Sequence, residues 1–399
     1  MKLTNVSGPS FKNRVQAVIH GVALGDAMGA PVEKLSPAQI RRDYGWVNSV
    51  NHAWHRTKND PAGGKGRVRG NGIVTDDTLM TLCLMEVYNE VKRHIDAWDM
   101  ADGFVTQIAW VTRYVPELQR ETAVLERLFY PEKWIFQRHQ LSSCDPRQGG
   151  VGNMVNCGAA MYIAPIGIVN ACNPEAAYDE AIAFASGHQQ SYGLEAAGVL
   201  AGAIAQAFMP GTNVDKIVET SVALAKDGTK DAIEAIAEVA IILRDKGADH
   251  VEVTDKFHEV IAKFSPLGDD LDHTVVKAGR ATPNYQPSRF WSIEELPLAL
   301  GYAIVCEGDF RKTIEAGINS GRDADSIGVM AGAILGALHG TSVINAAEAE
   351  QIDEVNHIDL AAEADRFAET AINILADDTK RQKQAAEARS LIVNASQDA

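Results

Sequence analysis

The amino-acid sequence predicts an all-α fold, and three observations carry that expectation. Apolar residues recur at helical spacing along most of the chain, alternating strand patterns are almost absent, and much of the apolar content is alanine. Hydrophobic residues make up 46% of the 399 and aromatic ones only 7%, which suits close helix packing better than a bulky β core. Taken in order, the candidate helices cover residues 11–30, 36–44, 76–93, 97–115, 118–130, 174–186, 191–208, 213–225, 229–246, 253–264, 292–305, 309–318, 325–340, 346–355 and 358–395, the last with a break.

The helix over 11–30 carries Gly21, Gly25 and Gly29, a small-residue run that signals tight packing. That over 76–93 follows directly on "TDDT", and that over 325–340 has glycines at 328, 332, 336 and 340 along one face. A helix this smooth and apolar belongs in the core. The stretch from 346 onward is charged and alanine-rich and reads as outer helices, with its last ten or so residues expected to fray. No internal repeat is present, and the expectation is one domain over 1–399, with 343–399 as its C-terminal outer helices. Two loops, "NDPAGGKGRVRGNG" (59–72, locally basic) and "DPRQGGVGNMVNCG" (145–158), are long and glycine-rich, which in a helical domain points to function.

The net charge of −16 comes from 37 Lys+Arg against 53 Asp+Glu, with no broad basic footprint for nucleic acid or an anionic membrane. A small phosphorylated ligand remains compatible, because glycine loops, helix N-termini and metals bind phosphate locally. Five cysteines, an odd number without a CxxC pair, suit a reducing compartment and argue against a disulfide framework or a zinc site. Residues 1–20 hold no apolar signal segment, and no apolar stretch reaches about 18 residues, so a soluble cytoplasmic protein is expected.

Chemistry concentrates in two acidic motifs. "NGIVTDDT" (71–78) sets Asp76 and Asp77 beside Thr75 at the mouth of a buried helix, and "NSGRDADS" (319–326) does the same with Asp323, Asp325 and Ser326. Capping accounts for one residue at each helix and leaves a surplus carboxylate. Either motif alone reads most simply as a capped helix with spare acid turned to solvent. Both together, on two core helices, would bring four carboxylates into mutual repulsion unless a divalent cation, or two, lay between them. Oxygen donors without His or Cys favour Mg²⁺, Mn²⁺ or Ca²⁺ over zinc.

Three further stretches add to this pair. "GVALGDAMGAPVE" carries Asp26 inside a helix, where a carboxylate usually bonds neighbouring backbone, and Glu33 just past Pro31, free to reach a cleft as a general base. "GGVGNMVNCG" (149–158) is a glycine loop suited to cradling phosphate, although it lacks the lysine of a P-loop. "SGH" places His188 among small residues, where it is either structural or in reach of a ligand.

These segments, with "NCGAAMYIAPIG" and "GRDADSIGVMAGAILGALHG", stand in an order that resembles the ADP-ribosylglycohydrolase family over roughly residues 14–342. The resemblance implies a compact orthogonal multi-helix fold with a binuclear metal cleft, and hydrolysis at the anomeric ribose carbon of ADP-ribose conjugates. It implies Thr75, Asp76, Asp77, Asp323, Asp325 and Ser326 as metal ligands, and Glu33, Asp323 and Asp325 as catalytic. Gly149, Gly150, Val151, Gly152, Asn153, Cys157, Gly158, His188 and Arg322 then fall to substrate binding. The cofactors implied are two divalent cations, Mg²⁺ first, Mn²⁺ second, with Ca²⁺ as a further occupant. The partner is a small ADP-ribosyl or ribosyl conjugate or an ADP-ribosylated protein, with neither nucleic acid nor membrane involved.

Three departures from the family pattern bear on the substrate. Ser326 replaces the usual Thr, Arg322 stands where a second glycine is common, and Tyr162 stands where Arg is frequent. The first keeps the donor oxygen. The other two motivate a second reading, the same chemistry on another riboside or nucleoside-like metabolite. A third reading is a non-catalytic ADP-ribose-binding or crystallin-like relative, which would tolerate loss of a ligand, and none is lost.

Overall fold

The computed structural model describes residues 8–58, 60–154, 156–264 and 293–397. Its longer helices are α1 (Phe11–Gly29), α2 (Pro37–Tyr44), α3 (Asp76–Val91), α4 (Pro174–Ala185), α5 (Tyr192–Ala207), α6 (Val214–Leu224), α7 (Asp227–Lys246), α8 (His250–Ile261), α9 (Glu295–Val305), α10 (Phe310–Asn319), α11 (Ala324–His339), α12 (Ala346–Asn356) and α13 (Leu360–Gln397). The fold is all-α, as the periodicity predicts.

α1 and α11 form its centre. α1 is buried on every face from Gly21 to Gly29, and α11 from Ala324 to Ala337. Their glycines face each other in antiparallel order. A Cβ on Gly21 would overlap Gly332, one on Gly25 would overlap Gly328, and one on Gly29 would overlap the backbone of Asp325. This contact brings the exit of α1, where Glu33 follows, against the start of α11, where Asp323 and Asp325 stand. α3 joins them at the same end. Its approach is held by Asn356 of α12, whose side chain accepts from the Val74 N–H at 3.0 Å and donates to the Gly72 carbonyl at 2.7 Å.

The sequence expectation fails in one stretch. The helices expected over 97–115 and 118–130 give way to a short helical run ending at Ala109 and an antiparallel hairpin of β1 (Thr112–Val115) and β2 (Arg120–Ala123). Pro116 opens the connection, where it cannot donate to a helix ladder, and the β-branched Thr112, Val115 and Thr122 suit the pleat. The short turn Pro116–Leu118 between the strands drives Glu117 into full burial. Short helices at Tyr130–Phe136 and Ala164–Val169 are too brief to show a period in the sequence. α13 runs without the expected break. No helix of the described residues is long and apolar enough to cross a membrane.

Candidate active site

Neither acidic motif is spent on capping. Thr75 and Asp323 occupy the N-cap positions of α3 and α11, and neither makes a side-chain capping bond. Asp26 of α1 caps α3 from outside, accepting from the N–H groups of Thr75 (2.8 Å) and Thr78 (3.2 Å) and from the Thr78 hydroxyl (2.5 Å). The surplus acid is not turned to solvent either: Asp76, Asp77, Asp323 and Asp325 are 8%, 3%, 8% and 4% exposed.

The two halves meet across about 250 residues of sequence. Ser326 donates its hydroxyl to Asp77 at 3.1 Å, and Thr75 donates to the other Asp77 oxygen at 3.4 Å. Asp26, Asp77 and Asp325 each offer an oxygen within 4.8 Å of the others, and so do Glu33, Asp323 and Asp325. Burial, and then the charges of Asp26 and Asp325, pushes Asp77 well above the carboxylate range. Asp323 is raised by burial and by Glu295 and Glu33, and Asp325 by burial and by Glu33 and Asp323. Two guanidinium groups answer part of this charge. Arg127, fully buried, pairs with Asp76 and Glu117, and Arg69 pairs with Glu33 and Glu117. Burial raises Glu33, but Lys34 and Arg69 outweigh it and hold the carboxyl well below its usual range. Among the described residues no Lys or Arg pairs with Asp77, Asp323 or Asp325, and one Asp26 oxygen is buried without a partner. Carboxylate and hydroxyl oxygens converging in this way are donors of the kind that a hard divalent cation would take.

These groups form the floor of a cleft of about 450 Å³. Glu33, Asp76, Asp77, Asp323, Asp325, Ser326 and Cys157 all line it, Cys157 with its sulfur 3.6 Å from an Asp323 oxygen. Thr75 lies just beneath, fully buried. The glycine loop is elsewhere. Gly150 donates its N–H to the Ser186 carbonyl (2.8 Å), and Gly149 accepts from the Trp134 indole (2.9 Å). Val151 faces solvent beside Gly152, and Asn153 is tied to the carbonyls of Pro131 and His188. None of residues 149–153 is on the cleft wall. Gly158 serves the cleft indirectly, since a Cβ there would strike Glu132.

His188 and Arg322 also stand away from the expected ligand. His188 is fully buried, bonded through Nδ1 to the Tyr162 hydroxyl at 2.9 Å, and held neutral by burial with a pKa of about 3. Arg322 turns to Glu294 at 3.0 Å, and its backbone, with a left-handed φ of 64°, exchanges hydrogen bonds with Lys34 and Leu35. It braces the segment that carries Glu33.

A family model described as ADP-ribosylglycohydrolase matches residues 7–383. The chain belongs to the ADP-ribosylglycohydrolase family. A solved structure named "ADP-ribosylglycohydrolase-related protein complex" shares the fold, with a TM-score of 0.55 and 21% identity over 92% of this chain and 99% of that one. "Uncharacterized protein YegU" of Escherichia coli (strain K12) is 26% identical over 348 residues, 87% of this chain and 93% of its own. An "Uncharacterized protein" of Archaeoglobus fulgidus is 26% identical over 329 residues, 82% and 88% of the two chains.

On this family scaffold the cleft holds residues that the sequence reading missed. Arg127 and Glu132 lie on the hairpin's far side and on a short helix, with no local pattern to mark them. Glu132 is buried, bonded through one oxygen to Asn156 at 2.7 Å, and its other oxygen has no partner. Burial and the Asp76 charge push it up to about 7. Arg67 and Arg69 were signalled only in outline, by the basic character of loop 59–72. Glu295, with both oxygens buried and unpartnered, stands within 4.8 Å of Asp323 and Cys157.

Proposed function

We propose that this chain is a divalent-cation-dependent hydrolase that cleaves the glycosidic bond at the anomeric ribose carbon of ADP-ribosyl conjugates. The observation that carries the reading is the meeting of the two acidic motifs with Glu33 on one cleft floor. Thr75, Asp76, Asp77, Asp323, Asp325 and Ser326 are the residues that would hold the cations, Mg²⁺ before Mn²⁺ or Ca²⁺. Such cations supply Lewis-acid polarisation of ribose hydroxyls and a water of lowered pKa.

The chain's own groups divide the remaining tasks. Glu33, kept ionised by Lys34 and Arg69, places a fixed negative charge where an oxocarbenium-like ribose develops positive charge. Paired this way it is a weak base, so its part is electrostatic. Glu132 titrates near neutrality and has a free oxygen, which suits it to hand a proton to the leaving group. Arg127 and Arg69 hold Asp76 and Glu33 in place through their common partner Glu117.

The second reading, another riboside, rested on Arg322 and Tyr162. Both side chains are engaged behind the cleft, with Glu294 and His188. The test is release of free ADP-ribose from a panel of ribosyl conjugates with and without Mg²⁺, with Asp323→Ala as control. Metal-dependent release abolished in the control supports the proposal; no turnover of any conjugate in the metal-loaded protein refutes it.

A further inference from the structure

Behind the acidic floor lies a second group of donors, which the proposed chemistry uses only through Asp323. Cys157, Glu295 and Asp323 offer a sulfur and two carboxylate oxygens within 4.8 Å of one another, and all three side chains are buried. Glu295 opens α9 and is 1% exposed, yet neither of its oxygens has a hydrogen-bond partner. Its neighbour Glu294 is answered by Arg322 at 3.0 Å, whereas among the described residues no Lys, Arg or His pairs with Glu295. A carboxyl group buried without a partner is costly unless a ligand meets it.

The other two donors are held in place toward it. Gln189, fully buried, grips the backbone on both sides of Cys157. Its amide donates to the Asn156 carbonyl at 3.0 Å, and its Oε1 accepts from the Ala159 N–H at 2.7 Å. Asn156 turns the chain with a left-handed φ of 57°, and its side chain accepts from the Gly158 N–H at 2.9 Å. The Cys157 thiol then lies 3.6 Å from an Asp323 oxygen, and Asp323 makes no capping bond of its own. Cys157 and Asp323 line the cleft and Glu295 does not, so an ion entering from the cleft would meet Glu295 at the back.

We propose that Cys157, Glu295 and Asp323 form a site for a thiophilic divalent cation of the Zn²⁺ class, distinct from the oxygen site and in competition with it for Asp323. A thiolate with two carboxylates is a borderline-soft donor set, which suits Zn²⁺ or Cd²⁺ and not Mg²⁺. On binding, a sulfur electron pair forms the bond to the ion and the thiol proton leaves to solvent, so nothing is oxidised or reduced. Asp323 also belongs to the group with Glu33 and Asp325. An ion that draws it toward Cys157 takes it from the hydrolytic floor, which makes the site inhibitory. That consequence rests on the hydrolase reading; the binding itself does not. Wide cysteine spacing excludes a framework of several thiolates, but not one thiolate joined by carboxylates from residues 295 and 323.

The test is titration of the full chain with Cd²⁺, read by the ultraviolet thiolate-to-cadmium charge-transfer band. The band is expected to saturate near one equivalent. Cys157→Ser should remove it, and Glu295→Gln should keep it while weakening binding by about 10-fold or more. A band that survives in Cys157→Ser belongs to another thiol, such as Cys144 at 3.8 Å from His139, and overturns the proposal. Unchanged affinity in Glu295→Gln overturns it too. That variant removes a buried unpaired acid and is expected to fold, so it decides the matter if Cys157→Ser does not. In the Mg²⁺-loaded protein, Zn²⁺ should slow release of ADP-ribose, and Glu295→Gln should need about 10-fold more Zn²⁺ for the same effect. Equal inhibition of both proteins overturns the inhibitory role. A band without cleavage of any conjugate would refute the hydrolase and leave the site standing. Cleavage by a protein that shows no band would do the reverse.

Discussion

Asp77 has two carboxylate neighbours within 4.8 Å, and among the described residues it forms no ion pair, the charge of Arg127 reaching it only from beyond contact. Neutralising it should therefore relieve repulsion and remove chemistry together. Asp77→Asn is expected to raise the melting temperature of the metal-free protein, to abolish the further rise that Mg²⁺ produces in the native chain, and to lower kcat by about 10³-fold or more. Scanning calorimetry with and without EDTA reads the first two; a lower metal-free Tm would show the cluster to be a stabilising network. Glu132 gives a second test at this scale. A proton donor with a pKa of about 7 loses its proton as pH rises through that value, so kcat should fall on the alkaline side. Glu132→Gln is expected to cost about 10²-fold in kcat and to erase that limb of the profile. A limb that survives the substitution assigns it to another group. Asp77 was legible in the sequence because two adjacent acids before an apolar run are one too many for a cap. Glu132 was not, because its hydrogen bond from Asn156 and the charge of Asp76 reach it from distant segments.

α1 and α11 bring Glu33 to the second acidic motif. Their glycine spacing marks both as helices that another backbone approaches closely, and each places a carboxylate-bearing segment at one end. The antiparallel register then sets Glu33 beside Asp323 and Asp325 with no further device. Gly25→Ala is expected to force the helices apart at Gly328, costing about 3 kcal/mol or more in urea unfolding. It should lower kcat as well, since the start of α11 shifts with it; a loss of stability alone would detach the register from the site. The stretch from Thr112 to Ala123 was less readable. Two four-residue strands are too short to show alternation, and Arg120 and Glu121 on β2 mimic a helical surface. Its misreading hid Glu117, whose burial in the turn supplies the shared partner of Arg69 and Arg127. The basic loop was recognised as unusual, but the place of Arg69 on the cleft depends on Trp54 and Glu33, which only the folded chain brings to it.

Across the whole molecule, α13 closes over α1 and α3. Gln16 donates to Asp365 at 2.9 Å, Thr370 donates to Asn89 at 2.8 Å, and Phe367 lies against Tyr88. Among the groups that join this helix to the rest of the fold is a histidine. His94 contacts Glu180 through Nδ1 at 2.5 Å and Asp378 of α13 through Nε2 at 2.7 Å. Glu180 in turn accepts from Tyr88, Asn170 and the Ile95 N–H. The bond to Glu180, then its charge and that of Asp378, outweigh burial and push His94 up from 6.5 to about 9. A raised folded-state pKa means that His94 contributes stability fully below pH 6.5 and loses it as pH rises through about 9. Docking of α13 near Asp378 should therefore be firm at pH 6 and looser at pH 10, read as faster amide exchange around residue 378 after correction for the intrinsic pH dependence. His94→Gln should loosen it already at pH 6 and flatten the response between the two conditions. Because α13 covers α3, the same loosening is expected to reach the backbone that carries Asp76 and Asp77, and a pH response confined to the exposed end of α13 would break that link.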